Sequence, residues 1–247
     1  MSTDWNADVY HQISEPQFRW GLDVLQSLEL RGDETVIDAG CGSGRLTAVL
    51  AERLPRGRIL ALDVSPAMLE KARENLARFG DRITFHQADL GNLTLDHVAD
   101  VVFSTATFHW VKDHDALFRG VYRALKPGGR LHAQCGGFGN LKKHLELAMS
   151  ILRREGVEYP TYFATAEGSL KRLAAAGFAE PKAWLKDAPT PFPDAQSFRT
   201  FIAHVTLRTV ADLLGEGSAG FLDAVTKASA PGYTLDYVRL ELRGIRR

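Results

Sequence analysis

The chain has 247 residues, and its 30 Lys and Arg balance 30 Asp and Glu, so no net field draws it to nucleic acid or to a membrane surface. That length buries a substantial core, and a single α/β domain over 1–247 with one elaboration is the expected organisation. Two cysteines (Cys41 and Cys135), no leader pattern over Met1–Asn6 and no apolar run of about eighteen residues argue for a cytoplasmic protein without disulfides or membrane spans.

Residues 1–30 are predicted as an N-terminal helical cap, with Phe18, Leu22, Leu25 and Leu28 at helical spacing. Thr35–Asp38 reads as a short buried strand. Leu46, Val49, Leu50 and Leu54 then line one face of a helix stopped at Pro55. Arg58–Asp63 is a second strand, and Ser65-Pro66 caps a helix that carries Met68, Leu69, Ala72 and Leu76 and ends near Gly80. Ile83–Ala88 and Asp100–Ser104 are the third and fourth strands. An amphipathic helix over Asp113–Leu125 ends at Lys126-Pro127-Gly128-Gly129, which turns into a fifth strand, Arg130–Gln134. This alternation predicts a doubly wound, mostly parallel sheet. Further on, Asn140–Arg154 and Ala166–Ala176 read as helices, Pro181–Lys186 as a strand and Ala188–Pro193 as a rigid connection. Asp194 caps a helical region to about Ala230, and Tyr237–Ile245 alternates as the last strand. The helices over 189–232 are expected to form a lid insertion covering a pocket.

The segment Val36-Ile37-Asp38-Ala39-Gly40-Cys41-Gly42-Ser43-Gly44 carries the most chemistry. An apolar strand ends in a carboxylate, and three alternating glycines let the backbone come close to a nucleoside-type ligand ahead of a helix N-terminus. Cys41 reads as a small filler within that loop, since no nearby histidine activates it. Asp38 separates the loop from a pyrophosphate cradle, where a carboxylate would oppose like charge. A ligand with an ammonium and a sulfonium would welcome it. Asp63 ends the second strand nineteen residues after Gly44, placed to accept from ribose hydroxyls, and Asp89 follows the third strand, placed for an adenine amino group. The fourth strand exits through Ser104-Thr105-Ala106-Thr107-Phe108-His109-Trp110.

In order and spacing, residues 34–136 resemble the cofactor-binding core of class I S-adenosylmethionine-dependent methyltransferases. Trp5-Asn6, Tyr10, Ser65-Pro66-Ala67-Met68 and Phe108-His109-Trp110-Val111 resemble, more narrowly, the trans-aconitate methyltransferase group. The resemblance implies a Rossmann-like, seven-stranded methyltransferase fold with S-adenosylmethionine as cofactor. It implies that Asp38, Gly40, Cys41, Gly42 and Gly44 surround the methionine end and Asp63 the ribose. Val64 and Met68 would flank the adenine, Asp89 and Leu90 read its edge, and Ser104 and Thr105 lie beside the methionine moiety. Relatives in the group often have asparagine near 105 and glutamine at 109, where this chain has Thr105 and His109. The reaction implied is in-line methyl transfer to a small-molecule acceptor, with O-methylation of a carboxylate or hydroxyl ahead of C- or N-methylation. His109 is the candidate catalytic residue, and Tyr10, Gln17, His109 and Trp110 are candidates for the acceptor pocket. A monomer or homodimer is expected.

Two other classes compete. Tyr122-Arg-Ala-Leu-Lys126 has the Tyr-x-x-x-Lys spacing of short-chain dehydrogenases, so a nicotinamide-dependent oxidoreductase is one alternative; a non-catalytic cofactor-binding module is the other. An Asn/Asp-Pro-Pro-aromatic motif is missing after the fourth strand, which disfavours DNA amino-methylation. The histidines show no metal-ligand spacing, so no metal is expected.

Overall fold

The computed structural model describes residues 15–152 and 161–247. A seven-stranded sheet runs in the order β3-β2-β1-β4-β5-β9-β6. Its strands are β1 Thr35–Ala39, β2 Arg58–Asp63, β3 Ile83–Gln87, β4 Ala99–Thr105, β5 Leu125–Gly136, β6 Phe178–Asp187 and β9 Val238–Arg246. The pairings of β1 with β2 and β4, of β2 with β3, and of β4 with β5 are all parallel. The chain moves outward one way from β1 to β3 and restarts at β4 on the other side of β1. The carboxyl ends of β1 and β4 therefore flank a topological switch point, where open α/β sheets bind ligands.

Central strands buried on both faces must be apolar at consecutive positions. Val36 and Ile37 are fully buried, as are Val101, Val102 and Phe103. Successive residues feed opposite cores. Val36, Val101 and Phe103 pack with Leu50, Leu54 and Leu69, from helices α2 (Arg45–Arg53), its C-terminal flank and α3 (Pro66–Leu76). Leu25 and Leu28 join this side, the former from α1 (Glu15–Gln26). Ile37 and Val102 pack with Leu117, Phe118 and Val121 of α4 (His114–Ala124) and Leu173 of α6 (Ala166–Ala175). Local chemistry sets the helix starts. Ser65 accepts the Met68 N–H with Pro66 at the first helical position, and Asp113 accepts the Ala116 N–H at 2.9 Å.

Contacts divide the chain into two compact units. One comprises residues up to 138 with 161–185 and 240–247; the other comprises 139–160 and 186–239. In the second, α5 (Lys142–Leu152) is capped by Asp236, whose oxygens accept from the Lys143 N–H (2.7 Å) and the His144 N–H (3.2 Å). Buried His144 meets Thr206 Oγ1 at 3.0 Å. Phe192, Phe198, Phe201 and Tyr233 form a cluster of rings.

Several boundaries differ from expectation. Pairing on β5 starts at Leu125 rather than Arg130, because Ala99 opposes Leu125 before the Lys126–Gly129 turn bulges out and Val101 resumes against Arg130. The helical region after Asp194 is broken. It comprises α7 (Ala195–Phe201), a π-helical turn Ile202–Thr206, α8 (Arg208–Leu214) and α9 (Ser218–Ala228). Gly215, at φ +55 and ψ −123, cannot continue α8. The connection expected over Ala188–Pro193 contributes β7 (Thr190–Pro191), paired antiparallel with β8 (Thr234–Leu235).

Candidate functional site

The glycine loop hangs from the neighbouring strand by its backbone. Gly40 and Cys41 both donate their N–H to the Leu62 carbonyl, at 2.8 and 2.9 Å. Gly40 takes φ +83, and a Cβ there would lie 2.1 Å from Thr107 Oγ1, so both conformation and space demand glycine. Gly42 differs. At φ +54 it has none of the described residues within 4 Å of where a Cβ would stand, a cradle that a ligand can enter and a side chain would fill. Gly44, at φ +85, precedes α2 with no side chain to cap it.

Three carboxylates lie at or just past the carboxyl ends of β1, β2 and β3, but they sit in different surroundings. Asp38 is buried and accepts from Thr47 Oγ1 at 2.7 Å. Burial raises its pKa to about 7, the Thr47 bond opposing and the charge of Asp63 adding to the rise. Asp63 takes the Gly42 N–H on Oδ2 and the Ser65 N–H on Oδ1, each at 2.9 Å. Burial also raises its pKa, against these backbone bonds. With the Val64 N–H also acting on it, the carboxylate still has acceptor sites left for hydroxyl donors. Exposed Asp89 caps the Leu90–Asn92 turn by accepting from Gly91 N–H at 2.9 Å.

The remaining loop residues divide similarly. Val64 is 48% exposed, an apolar surface beside Asp63, whereas Met68 is buried. The Leu90 side chain belongs to a buried core cluster. The Cys41 thiol is buried, and burial, with the charges of Asp38 and Asp63, pushes its pKa well up, which suits a filler. Ser104 lies at the end of β4, beside the last residue of β1. Its buried hydroxyl donates to the Ala39 carbonyl at 2.7 Å, closing the end of β1 where the ladder stops. Thr105 stays partly exposed at the end of β4.

Beyond β4, Ala106 adopts φ +54 and donates its N–H to Gln134 O at 2.8 Å. The short turn Phe108–Trp110 follows. Two of its carbonyls are engaged: Phe108 O by Val111 N–H and His114 Nε2, His109 O by Tyr162 N–H. His109 Nδ1 accepts from Gly136 N–H at 3.3 Å. A neutral imidazole bonded so carries its proton on Nε2. The ring lies between Trp110 (centroids 5.2 Å apart) and Phe163 (5.9 Å). Trp110 is 38% exposed.

Gln17, in α1, has its Oε1 buried without a hydrogen-bond partner among the described residues. Tyr10 lies outside the described residues. Among the described residues no group of three or more His, Cys, Asp or Glu side chains could hold a metal ion, and no helix is long and apolar enough to cross a membrane. Tyr122 and Lys126 do not form a catalytic pair at this site. Tyr122 packs against Phe178 with Arg246 over its ring, and Lys126 bonds Asp100 near the amino end of β4.

The Thr107 hydroxyl, donating to Thr105 O at 2.9 Å, and Thr47 were missed in the sequence. Thr107 could have been found as a small polar residue just past β4, and Thr47 as a hydroxyl in the first turn after the glycines.

A family profile described as a methyltransferase domain matches residues 36–129. Trans-aconitate 2-methyltransferase of Methylobacterium radiotolerans is 31% identical over 244 residues, covering 93% of this chain and 90% of its own. The enzyme of the same name from Methylobacterium nodulans is 34% identical over 185 residues, 75% of this chain and 68% of its own. Among solved structures, the YcgJ protein of Bacillus subtilis superposes with a TM-score of 0.65 at 17% identity, over 93% of this chain and 99% of that one. A Haemonchus contortus phosphoethanolamine N-methyltransferase in complex with S-adenosylhomocysteine superposes with a TM-score of 0.66 at 19% identity, over 99% of this chain and 58% of that one. At such identities these two likenesses show the fold alone.

Proposed function

The chain belongs to the S-adenosylmethionine-dependent methyltransferases, and we propose that it esterifies a carboxylate of a small organic acid. The observation that carries the acceptor class is the 31% identity to a trans-aconitate 2-methyltransferase over nine-tenths of both chains. The balanced surface charge supports a small molecule over a nucleic acid.

The residues present fit the cofactor. Gly42 leaves open space against the backbone, Asp63 has acceptor capacity left for ribose hydroxyls, and Val64 offers an apolar face for the adenine with Met68 behind it. Asp38 with Gly40, Cys41 and Gly44 forms the methionine end, where its carboxylate offsets the ammonium charge. Asp89 and the Leu90 backbone read the adenine edge, and Thr105 borders the methionine moiety. When bound, S-adenosylmethionine supplies a methyl carbon already activated by its sulfonium charge. The protein's share is then alignment and exclusion of water.

A carboxylate acceptor is nucleophilic as it stands and needs no base. His109 fits that chemistry, because a proton held on Nε2 makes it a hydrogen-bond donor that orients a carboxylate. Gln17 and Trp110 complete the acceptor side. The test is incubation with S-adenosylmethionine carrying a labelled methyl group and a panel of di- and tricarboxylic acids, phenols and amines. The expected product is a base-labile methyl ester of one of the acids. Label found only on phenols or amines overturns the assignment.

A further inference from the structure

Two loops serve the two reactants: Asp38–Gly44 on the cofactor side and Phe108–Trp110 on the acceptor side. They leave adjacent parallel strands, β1 and β4, paired from Val36–Val101 to Asp38–Phe103. Past that ladder one side chain meets both. The Thr107 side chain fills the space that any Cβ on Gly40 would need, its Oγ1, Cγ2 and Cβ all lying within 2.7 Å of that point. Its hydroxyl lies 2.9 Å from Thr105 O, to which it donates, and 3.4 Å from Gly40 O. Its own carbonyl accepts the Trp110 N–H at 2.9 Å and so starts the turn that carries His109. The residue before it, Ala106, holds a left-handed conformation that L-residues rarely take, so the segment has one tightly specified path.

From this juxtaposition we propose that Thr107 is a positioning residue that couples the cofactor loop to His109, so that occupancy of the glycine loop sets the orientation of the acceptor-side ring. The proposal rests on the methyltransferase assignment above. The turn is otherwise over-determined: Tyr162 N–H, His114 Nε2 and Gly136 N–H fix it from the far side. A displacement of Gly40 therefore has Thr107 as its direct contact with that turn. In-line transfer depends steeply on alignment, and a misplacement of about 1 Å can cost about 100-fold in rate.

The experiment is nuclear magnetic resonance of the His109 ring, assigned by its loss in His109→Gln, during titration with S-adenosylhomocysteine. In the wild type the ring signals shift on saturation. In Thr107→Val, which keeps the shape but removes the hydroxyl, affinity for S-adenosylhomocysteine is expected to stay within about threefold while the His109 shift falls by more than half. Thr107→Ser is expected to restore it. Should Thr107→Val fail to fold, Thr107→Ala carries the same comparison. An undiminished shift in Thr107→Val, or equal loss in Thr107→Ser, overturns the proposal. With an acceptor in hand, Thr107→Val lowers kcat about tenfold or more with KM for the acceptor within about threefold; a change confined to KM overturns it. The spectroscopic arm needs no acceptor. A wild type whose His109 responds but which esterifies no carboxylate overturns the acceptor assignment and leaves the coupling standing.

Discussion

Thr47 donates its hydroxyl hydrogen to Asp38 Oδ2 across 2.7 Å, joining the first turn of α2 to the end of β1 where both side chains are buried. Among the described residues, burial, this hydroxyl and the Asp63 carboxylate set the Asp38 proton affinity, with no cation contributing. The carboxyl therefore titrates at about 7 and awaits a positive partner.

Cofactor affinity should follow that titration. A cationic ligand favours ionised Asp38, so binding is strongest above about pH 7 and weakens as Asp38 is protonated below it, by at most about tenfold per pH unit. Calorimetric titration of S-adenosylmethionine between pH 5.5 and 8 reads this directly, and Asp38→Asn is expected to bind more weakly with a flatter profile. In the unliganded protein the sign differs. The raised pKa contributes stability that is fully present below the ordinary value of 3.8 and is lost as pH rises through about 7. Asp38→Asn should thus gain on the wild type in urea unfolding across that window. Parallel pH profiles for the two proteins would contradict both expectations.

The two loop glycines should fail in different ways. Gly40→Ala must displace Thr107 and also hold φ +83, a cost of about 3 kcal/mol or more, visible as a large drop in Tm. Gly42→Ala meets no neighbour and costs about 1 kcal/mol for its left-handed backbone, or about 2–4 °C in Tm. Its loss is instead in cofactor affinity, expected at about tenfold or more because the methyl group fills the cradle. Equal thermal losses in the two variants would refute the distinction.

His109 as donor and His109 as base make opposite demands on a glutamine. His109→Gln keeps an N–H donor and is expected to retain activity within about fivefold, with a kcat at saturating S-adenosylmethionine that does not change between pH 6 and 8. A general base, once removed, costs about 100- to 10,000-fold. Activity assays of His109→Gln and His109→Ala across that range separate the two.

Away from the site, Glu34 carries a testable share of stability. It is buried before β1 and accepts the Arg31 N–H (2.7 Å) and the Gly32 N–H (2.9 Å). Burial pushes its pKa up, but the backbone donors outweigh it and leave the pKa lowered. Its contribution is therefore present above the ordinary value of 4.5 and lost as pH falls through the lowered one. Glu34→Ala strands two backbone donors and is expected to cost about 2–3 kcal/mol at pH 7, less in acid.

Residues whose burial or turn chemistry is local were legible from sequence alone. Arg58–Asp63 has its expected limits, since an apolar run ends at a polar-turn pair, and the Ser65-Pro66 cap needs only four residues to specify it. Asp38, Gly40, Gly42 and Asp63 were legible because their spacing along the chain reflects their spacing across β1 and β2. Ser104 and Thr107 were not, since what they bond is decided by which strand lies beside β4, a relation 65 or more residues apart in sequence. The same holds for the ladder of β7 and β8, whose partners are separated by more than 40 residues. The breaks after Phe201 were masked by continuous helical composition, and the π-helical turn has no sequence signal as plain as a proline or glycine.

The Leu62 carbonyl receives both Gly40 and Cys41 amides. Because a main-chain oxygen is the anchor, no side-chain replacement at position 62 can delete it, and the loop inherits the opening free energy of β2 rather than that of an exposed turn. In deuterium exchange the Gly40 and Cys41 amides should then behave as sheet amides. Natural or laboratory variation can remodel what the loop displays while the slow exchange of its root stays unchanged.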